Sequence, residues 1–170
     1  MSDPQAALRL SLPLCTHPDP MIRCRAQLAA TYATLRTRGP AAAEAILADT
    51  VLPPDDPVSQ GRRGLVEGVL HMARGRHLKA IHSFQLAAAV LEAIGQPAEV
   101  AGAMINMATV HRRIGDTPRA LAMLTEATAR FRRLGDTYGE AAALINSAQL
   151  MHELGAVAVS YTHLTLPTSG

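Results

Sequence analysis

The sequence predicts an all-α solenoid of antiparallel helix pairs, with about three and a half repeats and no sheet. Three observations predict it. Gly75, Gly115 and Gly155 recur at intervals of 40 residues, and Gly95 and Gly135 recur at the same interval between them. Asn106 aligns with Asn146, Ala108 with Ala148, Ile94 with Leu134, and Ile114 with Leu154. A fixed period of this size marks stacked supersecondary units. RRIGDT (112–117) and RRLGDT (132–137) are near copies only 20 residues apart, so each repeat holds two helices.

The third observation is helical spacing between the glycines. Leu121, Leu124, Ala127, Phe131 and Leu134 recur at intervals of three and four, which gives one apolar face. Ala101, Met104, Met107, Ala108 and Ile114 do the same in the preceding helix. Helices are expected at 4–13, 20–38, 40–51, 57–74, 77–94, 97–114, 118–134 and 137–154.

Start and stop signals frame each helix. Asp3-Pro4, Asp19-Pro20 and Asp56-Pro57 place a capping carboxylate before a proline at the first helical position, and Thr117-Pro118 places a capping hydroxyl there. Thr137 with Glu140 has the spacing of a capping box. Glycines at 39, 75, 95, 115, 135 and 155 mark helix ends, where a left-handed residue closes the last turn. Arg112, Arg113, Arg132 and Arg133 fall in last turns, opposing the negative end of the helix dipole.

Composition agrees with helices. Hydrophobic residues make up 48% of the 170, but aromatics only 3%, with no Trp, so the core is built from Ala, Leu, Ile, Val and Met. The net charge of +2 gives no push toward nucleic acid or an anionic membrane. Lys79 is the single lysine among 16 basic residues, a bias suggesting a GC-rich, bacterial genome. Cys15 and Cys24 form neither a metal-type pair nor a disulfide framework, which suits reduced thiols in a cytoplasmic protein. No apolar run approaches the ~20 residues that span a bilayer, and MSDPQAALRL lacks the basic start and apolar block of a signal peptide.

The repeat itself resembles the tetratricopeptide repeat (TPR) family. One unit reads Gly68-x2-His71, Gly75, Ala80-x3-Phe84 and Ala87. The next reads Met104-x2-Met107-Ala108-x2-His111, Gly115-Asp116, Ala120-x3-Leu124 and Ala127. A further unit gives Leu144-x2-Ser147-Ala148-x2-Met151 and Gly155. Small residues at 68, 108 and 148, and at 80 and 120, let paired helices approach closely. The chain departs from the family pattern in having no Trp, His in place of Tyr, and a 40-residue period instead of about 34. The resemblance implies a right-handed superhelix. It divides the chain into an N-terminal segment with a short helix (1–19), an irregular first helix pair (20–56), and TPR-like repeats at 57–156. The repeats fall at 57–95, 97–135 and, incomplete, 137–155.

No catalytic constellation is evident. Ser83 and Ser147 lie within helices without a glycine elbow, and Cys15 and Cys24 have no evident base. His71 and His111 occupy equivalent places, but the next equivalent is Met151, so semi-buried imidazoles in the usual Tyr position outweigh a metal site. No phosphate-binding loop, dinucleotide loop or zinc motif is present, and no cofactor is expected.

The resemblance implies a non-catalytic protein–protein interaction module that binds a peptide or protein segment in a concave groove lined by first helices. The period maps three columns onto that groove: Leu65, Ile105 and Ile145; Val69, Thr109 and Gln149; Met72, Arg112 and His152. Packing against the neighbouring helix is an equal alternative for these side chains. The Lys/Asn pattern that grips a C-terminal carboxylate in chaperone-binding members is not evident. An alternative function is the N-terminal sensory region of a bacterial signalling protein, such as a cyclic-dinucleotide synthase or transcription regulator, whose effector domain is missing. A third is self-association through the uncapped C-terminal helix.

The ending, VSYTHLTLPTSG (159–170), breaks the pattern. VSYTHLTLPT resembles the translation of a common transposon-based sequencing adapter. Residues 157–170 are therefore expected to be a non-native, loosely packed tail, with the natural gene continuing as a longer protein.

Overall fold

The computed structural model describes residues 3–165, with side chains described from 3 to 155. Its helices are α1 (Pro4–Ser11), α2 (Pro20–Arg38), α3 (Pro40–Ala48), α4 (Pro57–Ala73), α5 (His77–Ala93), α6 (Pro97–Arg113), α7 (Thr117–Leu134) and α8 (Thr137–Thr165). A 3-10 turn, Leu12–Thr16, follows α1, and no strand occurs among the described residues. α2 pairs with α3, α4 with α5, and α6 with α7, while α2, α4, α6 and α8 neighbour one another in series. The result is a TPR-like helical solenoid whose first helices share one side.

One backbone closure repeats along the stack. The N–H groups of Arg76, Gln96, Asp116 and Asp136 donate to the carbonyls of His71, Leu91, His111 and Phe131 at 2.9–3.0 Å. Each closure needs a left-handed residue at its corner, and Gly75, Gly95, Gly115 and Gly135 supply it with φ of 69–81°. These corners come every 20 residues, so turns within and between helix pairs share one geometry.

Gly155 departs from expectation. It has no positive φ, and α8 runs through it to Thr165. The physical reason lies downstream: Ala156 and Val157 offer neither a capping side chain nor a proline to open another helix. The segment 157–165 therefore continues the α8 backbone, while its side-chain packing and all of 166–170 lie outside the described residues. Two other ends are earlier than expected. α1 stops at Ser11 because Pro13 has no N–H to continue it, and α3 stops at Ala48.

The caps are partly redistributed. Asp3, Asp19 and Asp56 cap α1, α2 and α4 as expected. For α7, Asp116 accepts from the Arg119 N–H at 3.3 Å, and Thr117 is already helical. For α8, Asp136 accepts from the Gly139 N–H at 2.8 Å, so the Thr137–Glu140 box does not form. Glu140 instead binds the Arg132 guanidinium at 2.7 Å. A carboxylate directly after each glycine reaches the free N–H groups better than the threonine one residue later.

Close approach within pairs follows side-chain size. In α4–α5, Gly68 faces the fully buried Phe84; in α6–α7, the equivalent Ala108 packs with the smaller Leu124. Ala80 and Ala120 are also fully buried. Burial of Phe84 and Leu91 contributes about 1.5–3 kcal/mol each. The outermost members of the predicted faces, Ile114 and Leu134, are exposed at the helix ends.

Two glycines separate packing from propensity. A Cβ at Gly68 would lie 2.5–2.8 Å from the Phe84 ring, whereas one at Gly102 would meet open space. Gly102→Ala should therefore stabilise the fold by about 0.5–1 kcal/mol. Gly68→Ala should destabilise it by about 1 kcal/mol, because overpacking outweighs the same propensity gain. Urea unfolding of both variants checks this, and stabilisation by both would show that the Gly68–Phe84 contact is not tight.

Candidate functional site

α1, α2, α4 and α6 enclose an open cavity of about 670 Å³ on the first-helix side. Its apolar lining includes Leu28 and Ala29 from α2, Leu65, Val66 and Val69 from α4, and Ile105 from α6. Pro4 and Ala7 of α1 close one end. α1 is held there by Leu8, buried with Ala30 and Ala33 of α2.

Of the nine side chains mapped from the period, the structure brings Leu65, Val69 and Ile105 together in this cavity. Met72 packs against the α4–α5–α6 core. Thr109 donates its hydroxyl to the Ile105 carbonyl at 3.0 Å. Arg112 turns to Glu153 of α8, 2.9 Å away. Ile145, Gln149 and His152 lie exposed on α8, apart from the cavity.

The α2 contributors were missed because the register changes. Pro20 and Pro57 lie 37 residues apart, not 40, so Leu28, not Arg25, stands where Leu65 and Ile105 stand in their helices. Tyr32 likewise aligns with Val69, and Arg25 with Arg62. The paired Asp-Pro caps at 19–20 and 56–57 carried the signal for this offset.

Charges at the rim are specific. The Arg62 guanidinium grips Glu99 through Nε at 3.0 and 3.1 Å and through Nη2 at 2.6 Å, joining α4 to α6. That hydrogen bonding holds Arg62 above its ordinary pKa. Arg25 lies 3.9 Å from Asp56, a buried carboxylate that caps α4 and accepts from the Ser59 hydroxyl. Burial pushes the Asp56 carboxyl up, but Ser59's hydroxyl and backbone N–H, with the Arg25 charge, pull it down further.

The histidines take structural places. His111 is buried, with Nδ1 3.3 Å from the Asp116 carboxylate, and His71 is half-buried at the equivalent turn. His77 opens α5 with its Nδ1 buried. Among the described residues, no three His, Cys, Asp or Glu side chains gather as a metal site. No described helix is long and apolar enough to cross a membrane.

A stack of two-helix units with an open concave face defines a helical-repeat protein. Residues 67–133 match the tetratricopeptide repeat family. That fold is generally a non-catalytic interaction module. No curated protein matches the chain. Among solved structures, it is similar to a Signal Transduction ATPase with Numerous Domains (STAND) protein with a tetratricopeptide repeat sensor from Pyrococcus horikoshii. That likeness has 14% identity and a TM-score of 0.69, over 89% of this chain and 24% of the other. It is also similar to BtubC (BKLC) from P. vanneervenii, at 19% identity and TM-score 0.60, over 93% of this chain and 64% of the other. The chain thus spans less than two thirds of either protein, and at these identities the likeness shows the fold.

Asp56 makes stability pH-dependent. Its lowered folded pKa contributes stability that is fully present above the ordinary Asp value of about 3.9 and is lost as pH falls through the folded value. Asp56→Asn keeps a capping side chain but removes the charge. Urea unfolding between roughly pH 5 and 2 should show a shallower acid loss for Asp56→Asn than for the parent chain. Equal slopes would mean that Asp56 titrates alike in both states.

Proposed function

We propose that the chain is a protein–protein interaction module, acting in the cytoplasm without catalysis, that binds a peptide or protein segment in its concave groove. The observation carrying this reading is the cavity of about 670 Å³ enclosed by α1, α2, α4 and α6. That volume falls among ligand-binding clefts, and its walls combine apolar side chains with a few placed polar groups. The net charge of +2 supplies no field for nucleic acid or an anionic membrane.

Two further readings each have an observation behind them. The fold shared with the repeat-sensor STAND protein, of which this chain covers 24%, supports a sensory region in a longer bacterial signalling protein. A cyclic-dinucleotide synthase or transcription regulator would fit that plan. The genomic locus tests it, together with the adapter origin of VSYTHLTLPT. An open reading frame encoding that string in place and stopping soon after would exclude both. The second observation is the exposed row of Leu144, Ala148 and Met151 on α8, whose equivalents Met104, Ala108 and His111 are wholly or partly buried against neighbours. It supports self-association, which sedimentation at rising protein concentration tests.

For the groove reading, Gly102→Trp is the sharpest probe. Gly102 lines the cavity and a Cβ there meets nothing within 4 Å, so a large side chain at this position is expected to fill the groove. It should weaken capture of groove-bound peptides on the order of tenfold or more while leaving thermal unfolding unchanged or raised. Peptides that bind the parent chain and the variant equally would place recognition elsewhere.

A further inference from the structure

The groove has an uneven charge. Three guanidiniums, Arg25, Arg36 and Arg62, and one carboxylate, Glu99, line it. Arg62 and Glu99 neutralise one another through their three hydrogen bonds. Arg25 keeps a half-exposed side chain, and its nearest carboxylate, Asp56, is 3.9 Å away and buried behind it against Ser59. Arg36 is exposed and has no ion-pair partner among the described residues. Arg25 and Arg36 stand eleven residues apart on α2, which is three helical turns, or about 16 Å, on one face. Between them the wall is apolar, with Leu28, Ala29, Tyr32 and Ala33.

We infer that the groove selects an acidic, aliphatic peptide segment. An aliphatic side chain seats among Leu28, Leu65 and Ile105, and acidic side chains reach Arg25 and Arg36. This rests on the groove reading above and names the partner's chemistry. A guanidinium beside low-dielectric walls binds a carboxylate more strongly than one in open water does. The same two charges repel lysine or arginine at those places, so the selection has an attractive and a repulsive part. The paired Glu99 carboxylate is already satisfied and does not cancel the field.

The experiment uses the full chain and a displayed library of random peptides of about twelve residues, roughly 40 Å when extended. Selection runs against the parent chain, and retained peptides are tested on Gly102→Trp and on the Arg25→Gln/Arg36→Gln double variant. Circular dichroism confirms that both variants keep their helices. Peptides that need the open groove should be enriched in Asp, Glu, Leu and Ile. Synthesised with acetylated and amidated ends, they should lose affinity on the order of tenfold when their acids become Gln, when both arginines become Gln, or when salt rises from about 50 to 300 mM. Groove-dependent peptides that are neutral or basic, or indifferent to the double variant, would overturn the charge assignment and leave the groove reading standing. Recovery of no groove-dependent peptide would overturn the groove reading, and this inference with it.

Discussion

The helix pairs α4–α5 and α6–α7 each depend on one close approach between their two helices. A first-helix residue with little or no side chain faces a large apolar side chain on the second, as Gly68 faces Phe84 and Ala108 faces Leu124. The two contacts balance in size: the glycine admits the phenylalanine, and the alanine admits the leucine. Bulk added on the first helix would force the pair apart, because Phe84 is fully buried and has nowhere to move. Only thin pairs of this kind let successive first helices sit side by side and form a continuous concave face.

The turns then fix the direction of stacking. Closures from residues 76, 96, 116 and 136 back to 71, 91, 111 and 131 share one geometry, so each helix reverses in the same way. Arginine–carboxylate pairs tie one unit to the next: Arg62 to Glu99, Arg130 to Glu92, and Arg112 to Glu153. Each contributes little alone in a solvated position. On the first-helix side Arg62 and Arg112 are paired in this way, which leaves Arg36 unpaired among the described residues and Arg25 beside only the buried Asp56. The groove therefore follows directly from the packing, and its charge from Arg36, which has no ion pair among the described residues, and Arg25, whose nearest carboxylate is the buried Asp56.

Much of this was legible in the sequence, for physical reasons. The 40-residue spacing of Gly75, Gly115, Gly95 and Gly135 reads directly because a left-handed corner tolerates little else. The Ala and Gly positions reveal close approach for the same reason, that bulk is excluded. What escaped depended on neighbours. Gly155 looks like its counterparts, but no helix-opening residue follows it, and the chain stays helical. Thr137 and Glu140 have capping-box spacing, yet Asp136 is nearer the free N–H and Arg132 competes for Glu140. The groove was half visible. Leu65, Val69 and Ile105 follow from the period, whereas Leu28 and Tyr32 are shifted by three residues and required the fold to align them.

The central claim is that α2, α4 and α6 form one continuous recognition surface in register. Residue-resolved NMR of the full chain, titrated with a peptide selected from the random library, tests it most directly. Amide and methyl shifts should gather at Leu28, Tyr32, Leu65, Val69 and Ile105, with the Arg25 and Arg36 side chains moving alongside them. Shifts confined to the outer faces of α5 and α7, or to the exposed row on α8, would contradict it.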